Sequence, residues 1–203
     1  MNINDKGLRN KINIDPSAKI DASTYISFTG NDNTFTIGMG CILEGAEFYF
    51  QGNGHTAILG NNVEMHKGCM AFENDDNIFQ VGDRTKIFGG YQIAVGEPKR
   101  KIIIGSDCLC SWSVRMRTTD SHSIWDLTTN QRINKGKSII IGDRVWMGEA
   151  IQILKGTCIQ NDSVVGTGSI VTGKTFPPNS IIAGNPAKVV KSNIYWKVLR
   201  EDD

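Results

Sequence analysis

Hydrophobic positions recur along this chain every six residues, most cleanly at Ile141, Met147, Ile153, Ile159, Val165 and Val171. A period of six matches neither the turn of an α-helix nor the alternation of a single strand. A short extended run followed by a turn does fit it, with one residue per interval pointing inward. Four residues after these anchors stand Val145, Ile151, Thr157, Ser163 and Ser169, compact or branched side chains that fill the space beside an anchor. Gly142, Gly148 and Gly166 fall where the chain turns and are read as positions of relaxed backbone. A repeat of this kind predicts a parallel β-helix.

The same count recovers weaker sets earlier in the chain: Ile14, Ile20 and Ile26; Ile37 and Leu43; Leu59, Met65 and Ala71; Val81, Ile87 and Ile93; Ile104, Cys110 and Met116. Leu59, Val81 and Ile104 each open a coil, and so does Ile141, with a shared turn chemistry in Leu59-Gly60-Asn61, Val81-Gly82-Asp83, Ile104-Gly105-Ser106 and Ile141-Gly142-Asp143. Glycine, Asn and Asp tolerate positive φ in such turns. The step from Ile104 to Ile141 is 37 residues where earlier steps are 22 and 23, so an excursion leaves the helix at about 117–137. That segment is polar and contains His122; long loops on a rigid scaffold are where function tends to sit. Beyond Val171, Pro177, Pro178 and Pro186 exclude a regular helix. Residues 192–203 are expected to form a short amphipathic helix that caps the open end. The expectation is an all-β chain, one domain over 1–203.

Charge and composition narrow the function. Lys plus Arg number 22 against 21 Asp plus Glu, which argues against a nucleic-acid footprint or a polybasic membrane surface. No apolar run approaches the roughly 20 residues of a membrane span, and the polar start shows no signal-peptide core, so a cytoplasmic protein is expected. The five cysteines lack zinc-type pairing; Cys41, Cys69, Cys108 and Cys110 fall near inward positions and are expected to be buried, reduced thiols.

The repeats, the loop histidine, V-W-M-G at Val145–Gly148 and A-G-N-P-A-K-V-V-K at Ala183–Lys191 together resemble the hexapeptide-repeat acyltransferases. The resemblance covers most of the chain. It implies a left-handed parallel β-helix, a homotrimer, and acetyl-CoA bound between neighbouring subunits. Within the family, D-S-H-S-I-W-D and R-I-N followed by V-W-M-G are most similar to the O-acetyltransferases of bacterial surface polysaccharides (capsule or lipopolysaccharide), including sialic-acid capsules. Maltose and galactoside acetyltransferases match the C-terminal half, which keeps small free sugars as the alternative acceptor.

Acetyl transfer from a thioester to a sugar hydroxyl needs a base near neutral pH, and imidazole suits it. His122 is the candidate, with Asp120 or Asp126 to orient its ring. A backbone N–H near Gly148 or the indole of Trp146 is the candidate donor to the oxyanion; in the resembling enzymes this tryptophan lies beside the reacting groups. Carried over position by position, the donor site comprises Trp146, Gly148, Glu149, Thr167, Thr172, Lys174, Lys188 and Lys191. Glu149 replaces a small residue of the family, and Gly173 is an insertion that displaces Lys174 by one. For the acceptor, Arg115, Arg117 and Arg132 suit a carboxylate, Asp120 lies nearby, and Trp112 and Trp125 offer sugar-stacking faces. No metal is expected: a γ-type carbonic anhydrase would need three zinc-binding histidines, and His55, His66 and His122 include no close pair. His55, in a Gly-rich turn, and His66 are read as surface or interface residues. A purely structural β-helix would need regular exposed Thr ranks and no catalytic excursion.

Overall fold

The computed structural model describes residues 1–199. Each coil contributes one strand to each of three sheets. The first sheet collects Asn2–Asp5, Tyr25–Phe28, Ala46–Phe50, Gly68–Phe72, Gln92–Val95, Arg115–Arg117, Gln152–Leu154 and Ile170–Val171. The second runs from Lys11–Ile14 to Thr175–Phe176, and the third from Lys19–Ile20 to Ala187–Ser192. Up to Ser180–Gly184, each strand pairs in parallel with its counterpart one coil on, as Ile104 does with Ile141 across the excursion.

Alternation within each strand builds the core. In Ala46–Phe50, Ala46, Phe48 and Phe50 are buried while Glu47 and Tyr49 face outward. Phe28, Phe50 and Phe72 stack along the axis with ring centroids 4.5 and 5.0 Å apart. Toward the C-terminus the six anchors from Ile141 to Val171 are at most 1% exposed, and their five companions are buried as well. Each such aliphatic side chain contributes about 1.5–3 kcal/mol by leaving water.

Several sequence expectations are corrected. Ala71 faces outward, and Met70 and Phe72 point in, because the strand Gly68–Phe72 is long enough to hold two inward residues and the count of six slips by one. Cys69, on the same strand, is half-buried and outward, whereas Cys41, Cys108 and Cys110 are buried and free; burial pushes the Cys108 thiol up to about 11. Ile14 is partly exposed because the first coil has a neighbour on one side only. Gly142, Gly148 and Gly166 do not occupy positive φ. Coils stack so closely there that a Cβ on Gly142 would lie 2.2 Å from Asn161 Oδ1, and one on Gly148 2.7 Å from the Thr167 nitrogen. Positive φ falls two residues after the corner glycine instead, at Asn62, Arg84, Asp107 and Arg144.

His55 is fully buried, not at the surface. At the corner between the first and second sheets, side chains link successive coils. The N–H of His55 donates to Asn33 Oδ1 at 2.9 Å, that of Asn77 to His55 Nδ1 at 3.2 Å, and that of Arg100 to Asn77 Oδ1 at 2.8 Å. Because Nδ1 accepts, the ring proton sits on Nε2, which donates to the Gln51 carbonyl at 3.1 Å. The ring also stacks on Phe72, 4.6 Å away.

The expected C-terminal helix is absent among the described residues. Ala187–Ser192 instead returns antiparallel on Ser180–Gly184 and becomes the terminal strand of the third sheet, so the chain closes this end with a strand where a helix was expected. The tail then runs back over the surface: the Ile194 N–H donates to the Asn179 carbonyl at 3.0 Å and the Trp196 indole to the Arg144 carbonyl at 2.8 Å. Residues 200–203 of the expected cap lie outside the described residues.

Candidate active site

The excursion leaves from the first–second corner of the sixth coil, between Arg115–Arg117 and Ile139–Ile141. The Lys137 N–H donates to the Thr118 carbonyl at 2.9 Å and closes its neck. Beyond the neck, Trp125 and Arg132 bridge antiparallel. Asp126 turns the hairpin by accepting from the N–H groups of Thr128 at 2.9 Å and Thr129 at 2.7 Å. Trp125, Leu127 and Ile133 are exposed at or near its tip.

His122 sits in the first arm, with its ring exposed and without a hydrogen bond or ion pair to the described residues. Neither Asp120 nor Asp126 contacts that ring: Asp126 is used by the turn, and Asp120 binds Lys155 Nζ and Asn134 Nδ2. Partial burial works against the Asp120 charge, but those two donors outweigh it and hold the carboxyl below the usual range. Arg132 is likewise committed, its Nη2 lying 2.6 Å from Glu97 Oε1. Glu97 also accepts from the Thr119 hydroxyl at 2.9 Å and the Gly136 N–H at 2.8 Å. Burial would raise the Glu97 carboxyl, and these donors override it. Asn134, Lys155 and Glu97 were not singled out from the sequence. Glu97 and Lys155 belong to the coils before and after the loop, and such contacts between coils leave no periodic mark.

Two arginines remain on the first sheet beside the loop. Arg117 donates to Ser121 Oγ at 2.9 Å and lies 3.9 Å from Glu73, while the Arg115 guanidinium makes no hydrogen bond or ion pair with the described residues. They border a groove of about 440 Å³ floored by Cys69, Ala71 and Ala94 and edged by Gln92. Trp112 lies elsewhere, exposed at the third–first corner and stacked on Phe88 at 5.9 Å.

The second group of expected residues occupies the other side. Trp146 projects from the third sheet with its Nε1 3.4 Å from Ser111 Oγ and its ring 6.0 Å from Trp196. The Gly148 N–H donates to the Val165 carbonyl at 2.8 Å. Both oxyanion donors expected from the sequence therefore have partners within the chain. Glu149 and Thr167 are exposed at the third–first corner. Trp146, Val164, Ile181 and Lys191 form a row across the third sheet, and Lys188 is exposed on the same last strand. Thr172 and Lys174 are not part of this group. They lie at the first–second corner, below the loop, where the inserted Gly173 fits because a Cβ there would come within 2.6 Å of the Lys155 carbonyl.

In a three-sided coil the first–second corner is opposite the third sheet. His122 with Thr172 and Lys174 is thus on one side of the chain, and Trp146 with Gly148, Lys188 and Lys191 on the other. The three-histidine zinc arrangement is ruled out by chemistry: both His55 ring nitrogens are taken within the core, and His66 pairs with Glu44 at 3.1 Å.

No family model matches the chain. A polysialic acid O-acetyltransferase of Neisseria meningitidis is 37% identical to it over 192 residues, covering 95% of this chain and 87% of the relative. The chain belongs to the polysialic acid O-acetyltransferase family. Solved structures agree with that placement. The polysialic acid O-acetyltransferase OatWY superposes with a TM-score of 0.93 at 36% identity, over 99% of this chain and 93% of that one. The polySia-specific acetyltransferase NeuO gives 0.90 at 31%, over 99% and 90%. The fold of this O-acetyltransferase is accordingly the left-handed parallel β-helix expected from the family resemblance.

Proposed function

We propose that this O-acetyltransferase moves the acetyl group of acetyl-CoA to a hydroxyl of polysialic acid or a closely related acidic glycan, in a homotrimer whose sites form between copies. The observation that carries this reading is the exposed His122 ring, without a hydrogen-bonding partner among the described residues, on a loop pinned at both sides in a chain of this family. His122 takes the proton of the acceptor hydroxyl as its oxygen bonds to the thioester carbonyl carbon. The tetrahedral adduct then collapses, the carbon–sulfur bond breaks, and the imidazolium returns that proton to the departing CoA sulfur.

The opposite sides occupied by His122 and Trp146 support sites shared between neighbouring copies, since no single chain brings them together. The row from Trp146 past Val164 and Ile181 to Lys191 suits a donor with an apolar arm and an anionic end. Arg115 and Arg117, beside the loop, suit the carboxylates of a sialic-acid chain. Use of acetyl-CoA puts the reaction in the cytoplasm.

The test is release of CoA thiol from acetyl-CoA with polysialic acid, shorter oligosialic acids and neutral hexoses, on the wild type and on His122→Ala. Turnover with the acidic glycans that is lost in the variant is the expected result. Turnover restricted to neutral sugars would overturn the acceptor, and unchanged turnover in the variant would overturn the base.

A further inference from the structure

Both polar groups of the His122 backbone are held. Its N–H donates to the Asp120 carbonyl at 2.8 Å, and its carbonyl accepts from Asn134 Nδ2 at 2.7 Å. Asn134 is 8% exposed and uses both ends of its amide. Nδ2 also reaches Asp120 Oδ2 at 3.0 Å, while Oδ1 accepts from the Ile124 N–H at 2.8 Å and from Arg132 Nε at 3.2 Å. One side chain from the returning arm therefore fastens the outgoing arm on either side of the histidine. The fastening is fixed to the scaffold in turn. Lys155, on the next coil, bonds the Asp120 carboxylate and donates to the Asn134 carbonyl at 2.8 Å.

We propose that Asn134 is a positioning residue for His122, and that Lys155 is the pin that ties this pair of contacts to the β-helix. The inference rests on His122 being the base. A general base must come within about 2.6–3.2 Å of the proton it takes, and a misplacement of about 1 Å can cost on the order of 100-fold in rate. In many sites a carboxylate on the second ring nitrogen supplies the orientation. Here Asp120, two residues before His122 in the chain, is occupied by Lys155 and Asn134, so placement comes through the backbone. With both backbone groups tied, only the two side-chain torsions of His122 are left to set.

Asn134→Asp tests this at constant shape: it keeps the Oδ1 acceptor and replaces the Nδ2 donor with a carboxylate oxygen that faces the Asp120 carboxylate and the His122 carbonyl. The expected result is a fall in kcat on the order of 10- to 100-fold, with the affinity for acetyl-CoA close to wild type and some loss of melting temperature from the facing carboxylates. Lys155→Met is expected to lower kcat in the same direction, and the double variant to be no slower than the worse single one. The decisive arm introduces Asn134→Asp into His122→Ala. A residue acting through His122 has nothing left to position, so the residual rate should not change. An equal proportional loss in that background, or wild-type kcat in Asn134→Asp, overturns the assignment. Full activity of His122→Ala removes the base itself and the inference with it, a failure visible before any Asn134 variant is measured.

Discussion

His122 and Trp146 belong to the same coil and lie on opposite sides of it, one at the first–second corner and the other on the third sheet. The loop cannot swing round to close that gap, because Glu97 on the coil before and Lys155 on the coil after hold its base. A site using both residues must therefore take them from different copies. His122→Ala and Trp146→Ala are each expected to abolish or sharply reduce turnover alone, and to recover part of it when co-expressed. Random mixing in a closed ring leaves roughly a quarter of the sites with both residues intact. Activity of the mixture no greater than that of either variant would show that the two residues do not share a site across copies.

The acceptor arginines are expected to separate by function. Arg115→Ala should raise KM for an acidic glycan several-fold, less so at high salt, and leave melting unchanged, because the side chain has no partner among the described residues to lose. Arg132→Ala should instead lower kcat and make the loop easier to cleave with protease, since it removes a donor from half-buried Glu97. Titration of initial rates against acceptor, alongside limited proteolysis, distinguishes the two.

His55 gives the fold a pH dependence of known sign. Burial lowers its pKa from the ordinary 6.5, so the unfolded chain binds the proton more readily than the folded one. The stability contributed by the neutral ring is present above about pH 6.5 and is lost as pH falls through the lower folded value. His55→Asn restores the residue found at Asn33 and Asn77 in the same ladder. Its melting temperature should drop less between pH 7 and pH 5 than that of the wild type; equal slopes would refute the assignment.

Gly142→Ala tests why glycine stands at the coil corners. The added Cβ meets Asn161 Oδ1 at 2.2 Å and the Asn161 backbone nitrogen at 2.8 Å, so the adjoining coil must shift. An overpacking cost of about 1–3 kcal/mol is expected in denaturant unfolding.

Much of the β-helix was readable in the sequence because each coil repeats the same inward position, and a period survives any single exception. Ile141 to Val171 carried the pattern unbroken, and the 37-residue step located the loop. What the period does not encode is which residues of adjacent coils touch. The coils are 17 to 37 residues apart in sequence and one strand spacing apart in space, so the contacts of His55 with Asn77 and of Asp120 with Lys155 had no linear signature. The same blindness assigned the glycines to backbone freedom when close stacking was the cause. The tail misled for another reason: Ser192 onward has a composition that suits a helix, but the strand Ala187–Ser192 folds back on Ser180–Gly184, and the Trp196 indole ties the segment beyond it to the Arg144 carbonyl.

The neck of the loop, where Lys137 bonds Thr118, separates what may vary from what must stay. Above and below it the strands keep register, Arg115 beside Gln92 and Ile139 beside Ile102, as they would if the chain passed straight round the corner. An insertion or exchange between Thr118 and Lys137 thus leaves the stacking of the coils untouched. A scaffold of this kind lets acceptor preference diverge by graft, with new hairpins tried on an unchanged trunk.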